Sequence, residues 1–132
     1  HTWEEKQNPY WSSPSGLPLV QHPLQLMLEF YKDGKISLEK IAEKMSHAVA
    51  DCFQISKRGY IREGYWADLV LVDLNEEVTV SKENVLYQCG WSPLEGTTLR
   101  SKVTHTIVSG HLAYENGAFD ESKTGQRLLF ER

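Results

Sequence analysis

The sequence predicts a mixed α/β chain: an antiparallel helix pair, then a small β unit with too few strands to close on itself. Three observations predict it. Leu19, Val20, Leu24, Met27, Leu28 and Tyr31 recur at three- and four-residue steps, the spacing of one helix face. Leu38, Ile41, Ala42, Met45, Val49, Cys52 and Phe53 repeat that pattern after a short break. Beyond Gln54 the period changes to β-branched runs bounded by acids and turn residues.

Each element follows from local chemistry. Residues 1–18 (HTWEEKQNPYWSSPSGLP) are polar and aromatic and are interrupted by Pro9, Pro14, Gly16 and Pro18, so a loop is expected. Loops of this length inside a domain tend to be lids or binding loops. Pro23 has no amide hydrogen and must either open the first long helix or kink it. Asp33-Gly34-Lys35 reads as the turn that ends this helix, and Ser37 as the cap of the next, with Glu39 favourably placed in its first turn. Gly59 and Gly64 frame a short extended piece. Residues 67–73 (ADLVLVD) read as a well-buried strand, and residues 77–80 (EVTV) as a short one. Residues 89–96 (CGWSPLEG) read as a loop, and residues 103–108 and 111–114 as strands joined by a Ser109-Gly110 hairpin turn. A last short strand is expected at 128–130. The expected division is 1–56 (loop and helices) and 57–132 (β unit), whose unpaired sheet edges require cover.

Composition narrows the function. With 14 Lys and Arg against 18 Asp and Glu, the 132-residue chain carries a net charge of −4, which argues against nucleic acid as a partner. No apolar run approaches the roughly 20 residues of a membrane span. No basic segment leads into an apolar one, so no signal peptide is read. Cys52 and Cys89 form no CxxC pair and read as free thiols of a reducing cytoplasm. The chain opens His1-Thr2-Trp3 without a Met, which reads as a piece processed or cut from something longer.

Candidate chemistry is sparse. The five histidines, His1, His22, His47, His105 and His111, show no HxH or HExxH spacing, so no self-contained zinc site is expected. Apart from His1, they read as packing or surface histidines. Ser12, Ser13 and Ser15 crowd one loop without a G-x-S-x-G elbow and read as turn formers. Glu4-Glu5 and Glu76-Glu77 read as solvated charge. What remains is the first loop, with an imidazole at His1 and Pro14-Ser15-Gly16 placed just before a helix. Amides near a helix N-terminus suit a carboxylate, and Gly16 allows an anion to approach the backbone.

The stretch HTWEEKQNPYWSSPSGLPLVQHPLQLMLEF resembles the C-terminal part of bacterial class I-like dihydroorotases, members of the metal-dependent amidohydrolase superfamily. In that family a segment Asp-His-Ala-Pro-His-Thr/Ala leads into a Glu-Glu-Lys stretch, and His1-Thr2 with Glu4-Glu5-Lys6 resembles its continuation. Residues 59–73 (GYIREGYWADLVLVD) are similar to the family's G-x-I-x-x-G-x-x-A-D-L-V stretch. Residues 91–96 (WSPLEG) resemble its S-P-F-x-G loop, with Leu94 for the aromatic, and residues 103–110 its V-x-x-T-x-V-x-G strand.

The resemblance implies a (β/α)8 TIM barrel that carries zinc, plus a small β-sandwich built from both chain ends. The implied reaction is reversible hydrolysis of the cyclic amide of dihydroorotate to N-carbamoyl-aspartate in pyrimidine synthesis, with zinc activating water and polarising the carbonyl. The family's zinc ligands (an H-x-H pair, a carboxylated lysine, two histidines and the catalytic Asp) match none of these residues, so the segment alone is expected to be inactive. By position, His1 is implied to contact substrate, and Ser15 and Gly16 to hold the substrate carboxylate, largely through backbone groups. The family often has an aromatic where Ser15 stands. A homo-oligomer, and aspartate transcarbamoylase as a partner, belong to the same expectation. The alternatives are a hydantoinase or allantoinase acting on related cyclic amides, and a non-catalytic amidohydrolase-like scaffold.

Overall fold

The structure, a computed structural model, describes residues 1–131. Helical elements come first: α1 (Trp3–Lys6), α2 (Pro23–Lys32), then α3 (Leu38–Ala42), a π-helical turn (Glu43–His47) and α4 (Ala48–Phe53) in one unbroken run. Strands follow: β1 (Leu69–Asp73), β2 (Val78–Thr79), β3 (Thr98–Leu99), β4 (Lys102–Val108), β5 (His111–Glu115) and β6 (Ala118–Phe119). They form a four-stranded antiparallel sheet, ordered β1-β4-β5-β6, and a separate β2-β3 pair. The helices-then-sheet order matches the mixed α/β expectation.

The local signals explain the boundaries. Pro23 occupies the first turn of α2 and opens it; residues 19–22 stay outside the helix, and Val20 is exposed. The Ser37 hydroxyl accepts from the Lys40 amide and caps α3. Ser109 and Gly110 both have positive φ, 52° and 84°, the two-residue turn whose twist suits a hairpin. Residues 128–130 form no full strand; Phe130 bridges Ile55, and the Ser56 amide donates to the Leu129 carbonyl.

The π turn was not expected. Gly59 crosses the helix there: a Cβ on it would sit 2.4 Å from Ala50 Cβ and 2.9 Å from the Ser46 carbonyl oxygen. Its φ of +79° adds a second reason for glycine. His47 Nδ1 lies 2.6 Å from the Gly59 carbonyl, which can only accept, so that nitrogen carries the proton. The His47 ring also stacks on Tyr60, with centroids 4.2 Å apart.

The core lies between α2 and the segment around β2 and β3. Leu28, Val80, Trp91 and Leu99 are buried with His22, Gln25, Ser92 and Ser101. Polar groups fasten this contact: Gln25 Nε2 donates to the Ser101 carbonyl at 2.8 Å, and Arg100 Nε to Glu29 Oε2 at 2.6 Å. His22 Nδ1 lies 3.1 Å from Tyr87 Oη.

Two burial expectations fail. The second helical stripe is not buried: Ile41 is, but Leu38, Met45, Val49 and Phe53 are exposed. Strand β1 is not well buried either, since Val70 and Leu71 are each 46% exposed. Each leaves apolar side chains about half open among the described residues. The accessible surface, 9395 Å², accords with this, because a folded monomer of this mass exposes roughly 7,100 Å².

Candidate functional site

The first loop is held at both ends. At its start, Thr2 and Glu5 form a reciprocal capping box: the Thr2 amide donates to Glu5 Oε2 at 2.8 Å, and the Glu5 amide to Thr2 Oγ1 at 3.3 Å. The same Glu5 oxygen lies 3.4 Å from His1 Nδ1, so the carboxylate that caps α1 also orients the candidate imidazole. Trp91 Nε1 donates to the His1 carbonyl at 3.0 Å, and the Trp3 and Trp91 rings meet edge-on at 5.4 Å. Trp91 is thus part of the loop's support, a role the sequence did not reveal.

At its far end the loop is gathered by Lys6, the last residue of α1. Its ammonium donates to the Gly16 carbonyl at 2.7 Å and, in a very short contact, to the Pro14 carbonyl. Ser13 Oγ in turn donates to the Lys6 carbonyl at 3.3 Å. Between them, the Ser12 and Ser13 amides donate to the Pro9 carbonyl and turn the chain back. Tyr10 and Trp11 stand exposed at the tip, ring edge to ring face.

The candidate residues therefore share one tethered loop, with α1 between His1 and the Ser15-Gly16 pair. Gly16 has a φ of +89°, and apart from its chain neighbours no atom lies within 4 Å of where a Cβ would stand. The amides of Ser15, Gly16 and Leu17 have no acceptor among the described residues. Successive free amides around a left-handed residue make a backbone concavity suited to an anion. The helix-terminus reason for this site fails, because α2 begins at Pro23, seven positions after Gly16. Any carboxylate preference must come from the loop's own amides.

The other histidines have separate partners. Besides His22 and His47, His105 lies 3.3 Å from Glu115 Oε1, and His111 Nε2 lies 3.0 Å from the Asp120 carbonyl oxygen. Among the described residues, no three of His, Cys, Asp and Glu converge as a metal site requires. This donor set does not fit zinc. Asp68, the acid of the Ala-Asp-Leu-Val stretch, is a fastening: it pairs with the buried Arg58 and accepts from the Ser109 amide at 2.7 Å. Arg58 also donates to Ser109 Oγ and the Gln126 carbonyl, tying β1 to the β4–β5 hairpin. Cys52 and Cys89 are free thiols. No helix among the described residues is long and apolar enough to cross a membrane.

The helix-then-antiparallel-sheet order has counterparts in known proteins. The chain belongs to the amidohydrolase family, whose model matches residues 17–113. Within it the chain is dihydroorotase-like: it is 33% identical over 131 residues to the dihydroorotase of Pyrococcus horikoshii, so the alignment takes in the first loop. That match covers 99% of this chain and 30% of the relative. An allantoinase of Desulfitobacterium hafniense is 37% identical over 114 residues, covering 86% of this chain and 25% of the relative. Among solved structures, a D-hydantoinase from Thermus sp. superposes with a TM-score of 0.84 at 22% identity, over 91% of this chain and 27% of that one, a likeness of fold. The chain thus spans about 30% of the length of the curated relatives it matches first.

Proposed function

We propose that this chain is the C-terminal segment of a dihydroorotase, in which residues 1–56 carry the last substrate loop and the closing barrel helices, and residues 57–132 a share of a β-sandwich. The observation that carries this reading is the run of free amides at Ser15, Gly16 and Leu17 on a loop that also presents His1. Dihydroorotate and N-carbamoyl-aspartate both carry a carboxylate that takes no part in opening or closing the ring, and backbone amides bind such an anion without a compensating charge of their own. In this reading His1 contacts the substrate, held by Glu5 on its side chain and by Trp91 on its backbone. The excess accessible surface supports a longer parent, because the half-open apolar side chains of the second helix and of β1 would find their cover there.

Zinc belongs to this proposal as a group held by residues outside this chain. What these residues supply is substrate orientation. The test is made on the longer protein, with N-carbamoyl-aspartate and dihydroorotate as substrates and zinc content measured alongside. Turnover in both directions with zinc bound is expected, and none from the 132-residue chain alone. A zinc-free parent without turnover, or zinc-dependent turnover by the 132-residue chain, overturns the proposal.

A second reading has one observation in its favour, the higher identity to an allantoinase over a shorter stretch. Hydantoin and allantoin rings carry no carboxylate, so they would leave the Ser15–Leu17 amides without a partner. Comparing turnover of these rings with that of dihydroorotate decides between the two.

A further inference from the structure

We infer that Lys6 is a positioning residue for the substrate carboxylate, an inference that rests on the proposed reading of the loop. Its ammonium grips the carbonyls of Pro14 and Gly16, the two that flank Ser15 on the chain. In a trans peptide the C=O and the following N–H point opposite ways. Drawing the Pro14 carbonyl toward Lys6 therefore turns the Ser15 amide away from it, and drawing in the Gly16 carbonyl does the same to the Leu17 amide. Those two N–H groups have no acceptor among the described residues. One side chain thereby fixes the aim of two donors.

The charge of Lys6 matters as well as its reach. The ammonium stands behind the peptides whose amides face outward, where it polarises both carbonyls and strengthens the pull of their N–H groups on an anion. Lys6 itself is half-buried, its backbone carbonyl receives Ser13 Oγ, and α1 is anchored through its capping box and through Trp91. The grip is thus exerted from a fixed support. Lys6 touches no substrate atom in this arrangement; it acts through the loop backbone. It follows that Lys6 governs ligands with a carboxylate and is indifferent to rings without one.

The experiment uses the longer protein with Lys6→Met and Lys6→Arg. Dihydroorotate is the carboxylate-bearing ligand, and 5,6-dihydrouracil, the same ring without the carboxylate, is the competitive inhibitor. Lys6→Met is expected to raise KM for dihydroorotate about tenfold or more, the scale of lost hydrogen bonds to a charged group, while kcat changes far less. The inhibition constant of dihydrouracil should stay unchanged. Lys6→Arg, whose guanidinium also spans two carbonyls, should recover most of the lost affinity. An unchanged KM in Lys6→Met overturns the inference, as does an equal loss for both ligands, which is what a merely structural staple would give. An equal loss in Lys6→Arg overturns it too, even where Lys6→Met fails to fold. A parent protein with no dihydroorotate turnover instead rejects the functional reading, and the inference with it.

Discussion

Helix α2 and the longer helix formed by α3, the π turn and α4 carry the same apolar periodicity, yet most of the second stripe is left half open. On α2, Leu28 and Gln25 are buried against the β2–β3 region, with His22 just before the helix, and Glu29 is bonded to Arg100. On the second helix, Met45, Val49 and Phe53 face outward although their spacing is as regular. Periodicity names the face that seeks burial and is silent about what meets it. The partner of α2 lies some seventy residues further along this chain, at Arg100 and Ser101; Met45, Val49 and Phe53 of the second helix are left about half open among the described residues.

The contrast can be broken by measurement, and the largest effect is expected on the covered side. Leu28 is 3% exposed, so Leu28→Ala should cost about 2–5 kcal/mol in urea unfolding of the 132-residue chain. A loss no larger than that of an exposed site would mean that α2 does not pack as described. A smaller effect is expected from pH. Burial holds the His22 imidazole below its usual pKa, and its Nδ1 lies 3.1 Å from the Tyr87 hydroxyl. The folded state therefore prefers neutral His22, and the unfolded state takes up the proton first. This contribution is present above about pH 6.5, the unfolded value, and is lost as pH falls toward the lower folded value. His22→Gln should flatten that part of the stability profile, whereas an unchanged pH dependence would remove His22 from the account. The smallest effect belongs to the half-open stripe: Val49→Ala should cost within about 0.5–1 kcal/mol in the same chain, and a core-sized loss there would show that this stripe is covered after all.

The elements whose signals are local were legible in the sequence. Pro23 at a first turn, the Ser37 cap and the Ser109-Gly110 hairpin each act within a few residues, and each stands where expected. The π turn was not legible, because counting at helical steps runs straight through residues 43–47. In an unbroken α-helix Ile41 and Ala50 would lie about two and a half turns apart, on opposite faces; both are buried. The one trace of the irregularity in sequence is Gly59, whose missing side chain lets the backbone cross the helix. For the site, the loop and Gly16 were visible from composition, but their fastening was not. Lys6 meets Pro14 and Gly16 through carbonyl oxygens, and Trp91 meets His1 in the same way. Main-chain acceptors are identical at every residue and leave no mark in the amino-acid code. The helix-terminus argument failed for a related reason: Leu19 and Val20 continue the apolar rhythm into residues that Pro23 keeps outside the helix.

The bond from Trp91 to His1 has a consequence for how this loop can change over time. Because the indole grips the main chain of residue 1 and leaves its imidazole untouched, the first side chain can be exchanged without unseating the loop. Anchorage and chemical choice are thereby uncoupled at one position, and a new preference for the ring could be tried there while the mooring stays as it is.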